Sequence, residues 1–227
     1  MRTQGFLLAL LVGLPCAAAR GQDFGTAQST NAPPPGLGYD SRMTLSPCKQ
    51  GMWADEVGEG YRKGAWEFEA TLGAGLGVKY GSTTKHNLAF SELRIGRVMT
   101  GELGKGHWYQ GNVELLGEVF VGTQFNPQLR YFAGAAPVLR YNFMTGTRWV
   151  PFVDASAGVL STAIGRPDLG GNFEFDLQGG PGIKYFFRNN AAFIFQYRYL
   201  HFSSAGIYHP NKGVNANNLL LGVSWGF

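Results

Sequence analysis

The stretch Phe193-Ile-Phe-Gln-Tyr-Arg-Tyr-Leu-His-Phe-Ser203 alternates between two kinds of side chain, as an extended strand does. The odd positions are aromatic and then end in His201 and Ser203, whereas the even positions include Gln196 and Arg198. A face that carries Gln and Arg does not lie against lipid, so the aromatic face must do so. This pattern predicts a strand of a membrane β-barrel.

The same alternation places a histidine and a serine on one face. Residues two apart on a strand have Cα atoms roughly 6.6–6.8 Å apart, so the imidazole of His201 can reach the hydroxyl of Ser203. We expect both on the outer, lipid-side wall near the extracellular rim, with Gln196 and Arg198 in the lumen. A register wrong by one residue would move every side chain to the other face.

Alternating segments also precede and follow this stretch, and we predict eight strands in all. They are Ala65–Val78, Asn87–Met99, Gly111–Val121, Leu129–Phe143, Trp149–Leu160, Phe173–Phe187, Ala191–Ser203 and Asn218–Phe227. Eight is even and is the smallest size of bacterial outer-membrane barrel. The predicted fold class is therefore all-β, an eight-stranded antiparallel transmembrane β-barrel of the bacterial outer membrane. Short periplasmic turns and long outer loops account for the connections, except for a long one at residues 100–110.

The composition agrees with this fold, because Gly is abundant with 34 copies, aromatics reach 14% and charged residues only 15%. An eight-stranded lumen is just wide enough for side chains to fill it. Inward charges of both signs therefore predict a packed ion-pair network rather than a water channel. The inward charged residues are Glu67, Glu69, Glu92, Glu114, Glu118, Asp154, Glu174, Asp176, Arg94, Arg130, Arg140, Lys184 and Arg198.

The N-terminal region precedes the alternating segments. An apolar run at Phe6–Leu14, followed by small residues, predicts a signal peptide over residues 1–19. Residues 20–64 are rich in Pro, Gly and Ser, and we interpret them as a flexible periplasmic leader before a barrel at 65–227. The net charge is +4 with no basic stripe, which argues against nucleic-acid binding.

The last strand ends in Trp225 and Phe227, with aromatics on alternate positions. This ending resembles the assembly signal of bacterial outer-membrane barrels. It implies that the barrel assembly machinery is a partner that recognises Phe227.

The segment from His201 to Gly206, followed by a loop with Pro210 and Asn211, resembles the outer-membrane lipid A deacylase (PagL-like) family. That family's motif is His-x-Ser-Asn-Ala-Gly, then an Asn/Pro/Gly-containing loop, then a triad carboxylate. The resemblance implies a serine esterase that removes an ester-linked acyl chain from lipid A, the membrane anchor of lipopolysaccharide. It implies Ser203 as nucleophile, because a hydroxyl needs an adjacent base, and His201 as that base.

The resemblance also suggests the rest of the site and its partners. Lipid A and the outer-membrane bilayer are the implied partners, with no cofactor and no metal, since His201 and His209 have no nearby carboxylate or thiol. The implied oxyanion or substrate contacts are Ser204, Ala205, Gly206 and Asn211.

Two positions depart from the family's motif. Asn215 stands where the family has its triad carboxylate, and Ser204 stands where it has Asn. An amide can orient an imidazole, as in Cys-His-Asn proteases, but it supplies no negative charge to an imidazolium. Backbone N–H groups near Ala205 and Gly206 can still serve as oxyanion donors.

The missing carboxylate motivates an alternative, a non-catalytic eight-stranded barrel of the same ancestry that has a structural role or binds a lipid or a partner. A small porin is a third hypothesis, which the charge-filled lumen disfavours. The sequence leaves open which acyl chain would be cut and whether the protein forms a homodimer.

Overall fold

The structure, a computed structural model, describes residues 62–227, and these residues form one closed barrel. Its strands are β1 (Trp66–Gly77), β2 (Asn87–Val98), β3 (Gly111–Asn126), β4 (Arg130–Phe143), β5 (Trp149–Thr162), β6 (Phe173–Arg188), β7 (Ala191–Ser203) and β8 (Val214–Gly226). Neighbours pair antiparallel in chain order, and β8 closes on β1. The predicted eight-stranded antiparallel barrel is confirmed.

The predicted signal peptide and nearly all of the predicted leader lie outside the described residues. Within residues 62–227, no helix is long and apolar enough to cross a membrane.

The strand bounds agree best where the alternation is strongest. β7 has the predicted ends, but β3 runs on to Asn126 and β8 begins at Val214 instead of Asn218. Asn is depleted in strands, so the asparagines at the start of β8 suggested a loop. The structure overrides that propensity because two of these asparagines, Asn215 and Asn217, accept from tyrosine hydroxyls of β7. The side chain of Asn218 donates to the backbone carbonyl of Arg198. Asn215 is consequently a strand residue, and the predicted loop at residues 204–217 is shorter by four residues.

The parity of β7 is the one predicted from its aromatic face. Gln196 and Arg198 are fully buried in the lumen, while Phe193 and Phe195 are about half exposed on the outer wall. His201 and Ser203 share the outer face and are half-buried. The prediction that these two residues face outward is confirmed.

The two ends of the barrel differ in their connections. At one end β1 begins and β8 finishes. The connections at this end are residues 99–110, 144–148 and 189–190. The opposite end, called the loop end below, carries residues 78–86, 127–129, 163–172 and 204–213. The longest connection, residues 99–110, lies at the first end, but three connections at the loop end, residues 78–86, 163–172 and 204–213, are nearly as long and contact one another.

The lumen contains ion pairs between two apolar layers. Glu118 accepts from Nε of Arg94 and from Arg198, both at 2.6 Å, and Lys184 lies 2.5 Å from Glu67. The apolar layer at the loop end comprises Leu88, Phe90, Phe120, Phe132, Leu160, Ile164, Leu169, Leu200, Phe202, Val214, Ala216 and Leu220. The layer at the other end comprises Val98, Met144, Val150, Phe186 and Ala192. The packed network is therefore present.

Three charged residues of the predicted network lie outside it. Arg130 is exposed at the loop end, where it donates to Gln128 at 3.0 Å. Asp176 is buried and accepts from Gln178 at 2.9 Å, with no ion-pair partner within the described residues. Glu174 is also buried, and in the described chain neither of its carboxyl oxygens has a hydrogen-bond partner. Strand parity placed these groups inward, but it carried no information on their height in the barrel.

Candidate active site

The site lies on the outer wall where β7 and β8 approach the loop end. His201 and Asn215 stand directly opposite each other in the β7–β8 register. Nδ1 of His201 is 2.7 Å from Oδ1 of Asn215, and Nε2 is 3.2 Å from Oγ of Ser203. The structure therefore brings together the three residues that the sequence suggested as a catalytic set.

The hydrogen bonds around Asn215 fix the orientation of its amide. Nδ2 donates to the backbone carbonyl of Tyr80 at 2.7 Å, so Oδ1 faces His201 as an acceptor. An acceptor beside Nδ1 selects the tautomer with the proton on Nδ1. Nε2 is then left with its lone pair toward Ser203, which is the arrangement that a general base needs.

Tyr199 adds a second donor to the same amide oxygen. Its hydroxyl donates to Oδ1 of Asn215 at 2.8 Å, diagonally across the two strands. The same contact recurs one step lower on the wall, where Tyr197 donates to Asn217 at 2.6 Å. Only the upper pair touches His201, so the lower pair is a natural internal comparison.

Gly213 allows the chain to pass close to the imidazole. Its φ is +75°, in the region that favours glycine, and a Cβ placed there would lie 2.8 Å from Cε1 of His201. A larger residue would push against the ring that Asn215 orients.

The residues after Ser203 form a tight turn that projects to the surface. The N–H of Ile207 donates to the carbonyl of Ser204 at 3.0 Å, and φ is +52° at Ala205 and +89° at Gly206. Positive φ at both central residues is the signature of a type I′ turn. In the described chain the N–H groups of Ala205 and Gly206 donate to no protein acceptor, and both residues are exposed.

Ser204 and Asn211 are brought together, but inside the loop rather than on the outer wall. Oδ1 of Asn211 accepts from the backbone N–H of Ser204 at 2.9 Å and lies 3.0 Å from its hydroxyl. Ser204 is buried, and its hydroxyl also accepts from the N–H of Tyr208 at 3.2 Å. These two residues fix the base of the turn that carries Ala205 and Gly206.

Sequence reasoning missed Tyr199, Tyr80 and Gly213 as parts of the site. The aromatic face of β7 suggested lipid contact for Tyr199, and its hydroxyl was the only hint of another role. Tyr80 contributes a backbone carbonyl from 135 residues away, which no side-chain pattern reveals. Gly213, in the Lys-Gly pair before β8, indicated a turn. Its closeness to the imidazole of His201 depends on the β7–β8 register, which the sequence does not show.

The arrangement can supply an activated hydroxyl to a lipid-side substrate. An imidazole whose Nδ1 faces an acceptor presents Nε2 to the hydroxyl of Ser203, and exposed N–H groups project from the adjoining turn. These are the parts that acyl transfer requires: a nucleophile, a base and donors for an oxyanion.

The chain is similar to a known protein family and to a known enzyme. A family model described as Lipid A 3-O-deacylase (PagL) matches residues 70–224. The chain is also similar to the lipid A deacylase PagL of Pseudomonas aeruginosa, with 27% identity over 158 residues. That alignment covers 68% of this chain and 81% of the Pseudomonas protein.

Two solved barrels are similar in fold. The crystal structure of the outer membrane enzyme PagL gives a TM-score of 0.53 at 20% identity, covering 68% of this chain and 97% of that one. Neisserial surface protein A gives 0.55 at 17% identity, covering 73% of this chain and 100% of that one. At these identities the likeness shows the barrel fold alone.

Proposed function

The chain belongs to the lipid A 3-O-deacylase (PagL) family, and from that premise we propose that it removes an ester-linked acyl chain from lipid A. The family resemblance inferred from the motif is confirmed by the match over residues 70–224. The protein lies in the bacterial outer membrane. The observation that carries the proposal is the contact between His201 and Ser203 on the lipid-facing wall, where the ester bonds of a membrane lipid are within reach.

In the proposed reaction Ser203 is the nucleophile. Its oxygen attacks the ester carbonyl carbon while its proton passes to Nε2 of His201, 3.2 Å away. The tetrahedral intermediate then collapses, the bond to the sugar oxygen breaks, and the imidazolium returns the proton to that oxygen. Water repeats the same steps on the acyl-enzyme, which releases a fatty acid and restores the serine.

The oxyanion of each tetrahedral intermediate needs donors that do not have to reorganise. The N–H groups of Ala205 and Gly206 are suited to this role, because the I′ turn fixes them and no protein acceptor occupies them within the described residues. Ser204 and Asn211 support the turn from inside rather than contacting the substrate.

Asn215 takes the place of the triad acid in this proposal. Its oxygen holds the proton of His201 on Nδ1, which keeps the correct tautomer, but an amide adds no charge to stabilise the imidazolium. We therefore expect slower turnover than an otherwise identical site with a carboxylate would have.

The test is incubation of the purified, folded protein with lipid A, followed by mass spectrometry of the lipid. We expect the mass of one acyl chain to be lost, and we expect Ser203→Ala and His201→Asn to abolish the loss. Ser161→Ala is the matched control, because Ser161 is an exposed serine at the loop end of β5, away from the imidazole. Intact lipid A after incubation with a demonstrably folded barrel contradicts the proposal.

A second candidate function has one observation in its favour. Among the described residues no carboxylate contacts His201, and the nearest inward acids of β6, Glu174 and Asp176, face the lumen. A barrel that binds lipid A without cleaving it would not need a carboxylate beside His201. Saturable binding of lipid A, unchanged in Ser203→Ala and without any mass loss, is the result expected of such a binding protein.

A further inference from the structure

Asp168 is a buried carboxylate in the connection between β5 and β6, and it gathers the residues of another loop around itself. Its Oδ1 accepts from the hydroxyl of Thr83 at 2.5 Å and from the N–H of Thr83 at 2.7 Å. Its Oδ2 accepts from the N–H of Thr84 at 3.0 Å and lies 2.9 Å from Nε2 of His86. We call these four residues the loop clasp. Among the described loop-end connections Asp168 is the one carboxylate.

His86 also connects the loop clasp to strand β3. Its Nδ1 contacts Oε1 of Gln124 at the loop end of β3, and Nε2 of Gln124 donates to the carbonyl of Gln128 at 2.8 Å. His86 is only 3% exposed and Asp168 is fully buried. The clasp is therefore a closed network that ties the connection at residues 78–86 to the connection at residues 163–172.

One path of contacts leads from the clasp to Asn215. Residues 78–86 are held at one end by Asp168, and at the other end the carbonyl of Tyr80 accepts from Nδ2 of Asn215. The N–H of Val78 also donates to the backbone carbonyl of Asn215 at 2.9 Å. The loop that Asp168 holds therefore supplies one of the two contacts, beside the hydroxyl of Tyr199, that set which side of the Asn215 amide faces His201.

A second path leads from the clasp to the turn after the serine. The backbone carbonyl of Asp168 accepts from the N–H of Lys212 at 2.9 Å, and Leu169 bridges to Asn211. Asn211 in turn holds the N–H of Ser204, which begins the I′ turn. Both paths end within the proposed catalytic machinery.

We propose that Asp168 is a positioning residue, which acts through Tyr80 to keep the Asn215 amide in the orientation that holds the His201 proton on Nδ1. The inference rests on the proposed function for its kinetic consequences. If the carbonyl of Tyr80 moves away, the amide of Asn215 can rotate and present Nδ2 to His201. Nδ1 would then have to accept, the proton would move to Nε2, and Ser203 would lose its base, as in a triad with the wrong tautomer.

The first test is kinetic and uses Asp168→Asn, which preserves the size of the side chain and removes its charge. We expect kcat on lipid A to fall by about 10-fold to 100-fold, with KM changed less than about twofold, since small misplacements of reacting groups have effects of this size. Glu102→Gln is the matched control, because Glu102 is a loop carboxylate at the opposite end of the barrel that accepts from Gln110. We expect that variant to keep wild-type kinetics.

The second test asks whether the effect passes through Asn215. In an Asn215→Ala background there is no amide to orient, so Asp168→Asn should change kcat by less than about twofold. If Asp168→Asn reduces kcat by the same factor in both backgrounds, the proposed route through Asn215 is wrong. Thr83→Val, which removes one donor to the carboxylate, should reproduce the effect in smaller measure even if Asp168→Asn does not fold.

A third measurement separates this proposal from the proposed function. The ¹⁵N shifts of His201 in the ¹⁵N-histidine-labelled barrel report its tautomer without any substrate. We expect the Nδ1–H form in the wild type and a shift toward the Nε2–H form in Asp168→Asn. A tautomer that shifts in a protein inactive on lipid A would preserve the positioning role and overturn the esterase proposal. An unchanged tautomer in Asp168→Asn overturns the positioning role, whatever the activity.

Discussion

Asn215 and His201 are cross-strand partners, and the amide oxygen of one lies 2.7 Å from Nδ1 of the other. Asn215, which we propose in place of a triad acid, therefore occupies a position from which it can orient the imidazole of His201, the proposed base. Asn215 lies in strand β8, and its amide contacts the backbone carbonyl of Tyr80 and the hydroxyl of Tyr199. The contact allows a test of whether the Asn215 amide orients the His201 imidazole.

Substitutions of Asn215 should separate orientation from charge. Asn215→Ala should lower kcat by about 100-fold or more, because the tautomer of His201 is no longer fixed. Asn215→Glu should raise kcat on the order of tenfold, since a carboxylate also stabilises the imidazolium. The measurement is steady-state release of fatty acid from lipid A. Equal rates in all three proteins would show that Asn215 does not act on the base.

The two tyrosine–asparagine pairs on the outer wall allow a matched comparison. Tyr199→Phe removes a donor from the oxygen that binds His201, so kcat should fall by several-fold, about the effect of 0.5–1.5 kcal/mol for one hydrogen bond. Tyr197→Phe removes the equivalent contact to Asn217, which does not touch the imidazole. We expect Tyr197→Phe to keep wild-type kcat, and equal losses in both variants would point to packing alone.

The clasp should open in acid. Burial alone would raise the pKa of the Asp168 carboxyl, but hydrogen bonds from the hydroxyl and N–H of Thr83, from His86 and from Thr84 outweigh it and lower that pKa to about 2. A carboxyl whose pKa is lower in the folded state stabilises that state above its unfolded pKa, about 3.9. That contribution is lost as the pH falls toward 2.

Pepsin cleavage within residues 163–172 measures this transition. We expect protection near pH 4 and rising cleavage toward pH 2 in the wild type, relative to a peptide of the same sequence. Asp168→Asn should be cleaved at all of these pH values. Constant protection of the wild type down to pH 2 would exclude a stabilising role for the ionised carboxyl.

Replacing either of two inward glutamates by leucine should change the free energy of unfolding, but in opposite directions. Glu118 accepts from two arginines, so Glu118→Leu leaves charges unpaired and should lower the free energy of unfolding by about 3–5 kcal/mol. Glu174 has no partner in the described chain and stands opposite Leu160, so Glu174→Leu should raise it by about 1–3 kcal/mol. Urea titration of the barrel in lipid vesicles checks both, and destabilisation by Glu174→Leu would reveal a partner for that carboxyl.

The final residue should matter for assembly. Phe227 exchanges backbone hydrogen bonds with Trp66, both at 2.9 Å, and its side chain is largely exposed. Deleting Phe227 should leave unfolded chain in the periplasm, whereas Phe227→Tyr, which keeps the aromatic ending, should assemble. The readout is heat-modifiable migration on gels, and a folded band of normal intensity in the deletion would refute the role of the ending.

The sequence predicted most of the barrel because period-two alternation is a local property. It placed Arg198 inside and His201 outside, since parity along one strand needs no knowledge of other strands. It did not predict that Arg130 lies at the rim, because that depends on how far each strand extends.

For the site, the motif of β7 indicated His201 and Ser203, but not the residues that position them. Tyr199 was hidden among lipid-facing aromatics of the same face. The contact between Asp168 and His86 joins residues 82 apart through two loops, and it arises only when the barrel closes. Contacts of this kind depend on the folded register and have no signature in a single sequence.

The proposed reaction depends on the register of β7 and β8, because that register places Asn215 opposite His201. A slip of one residue would place Val214 or Ala216 opposite His201 and turn the amide of Asn215 toward the lumen. A misregistered barrel could still insert and still carry the whole His-x-Ser motif, yet its base would lack a partner. Under the proposed function, only barrels with the correct β7–β8 pairing would cleave lipid A, and misassembled copies in the membrane would be inactive.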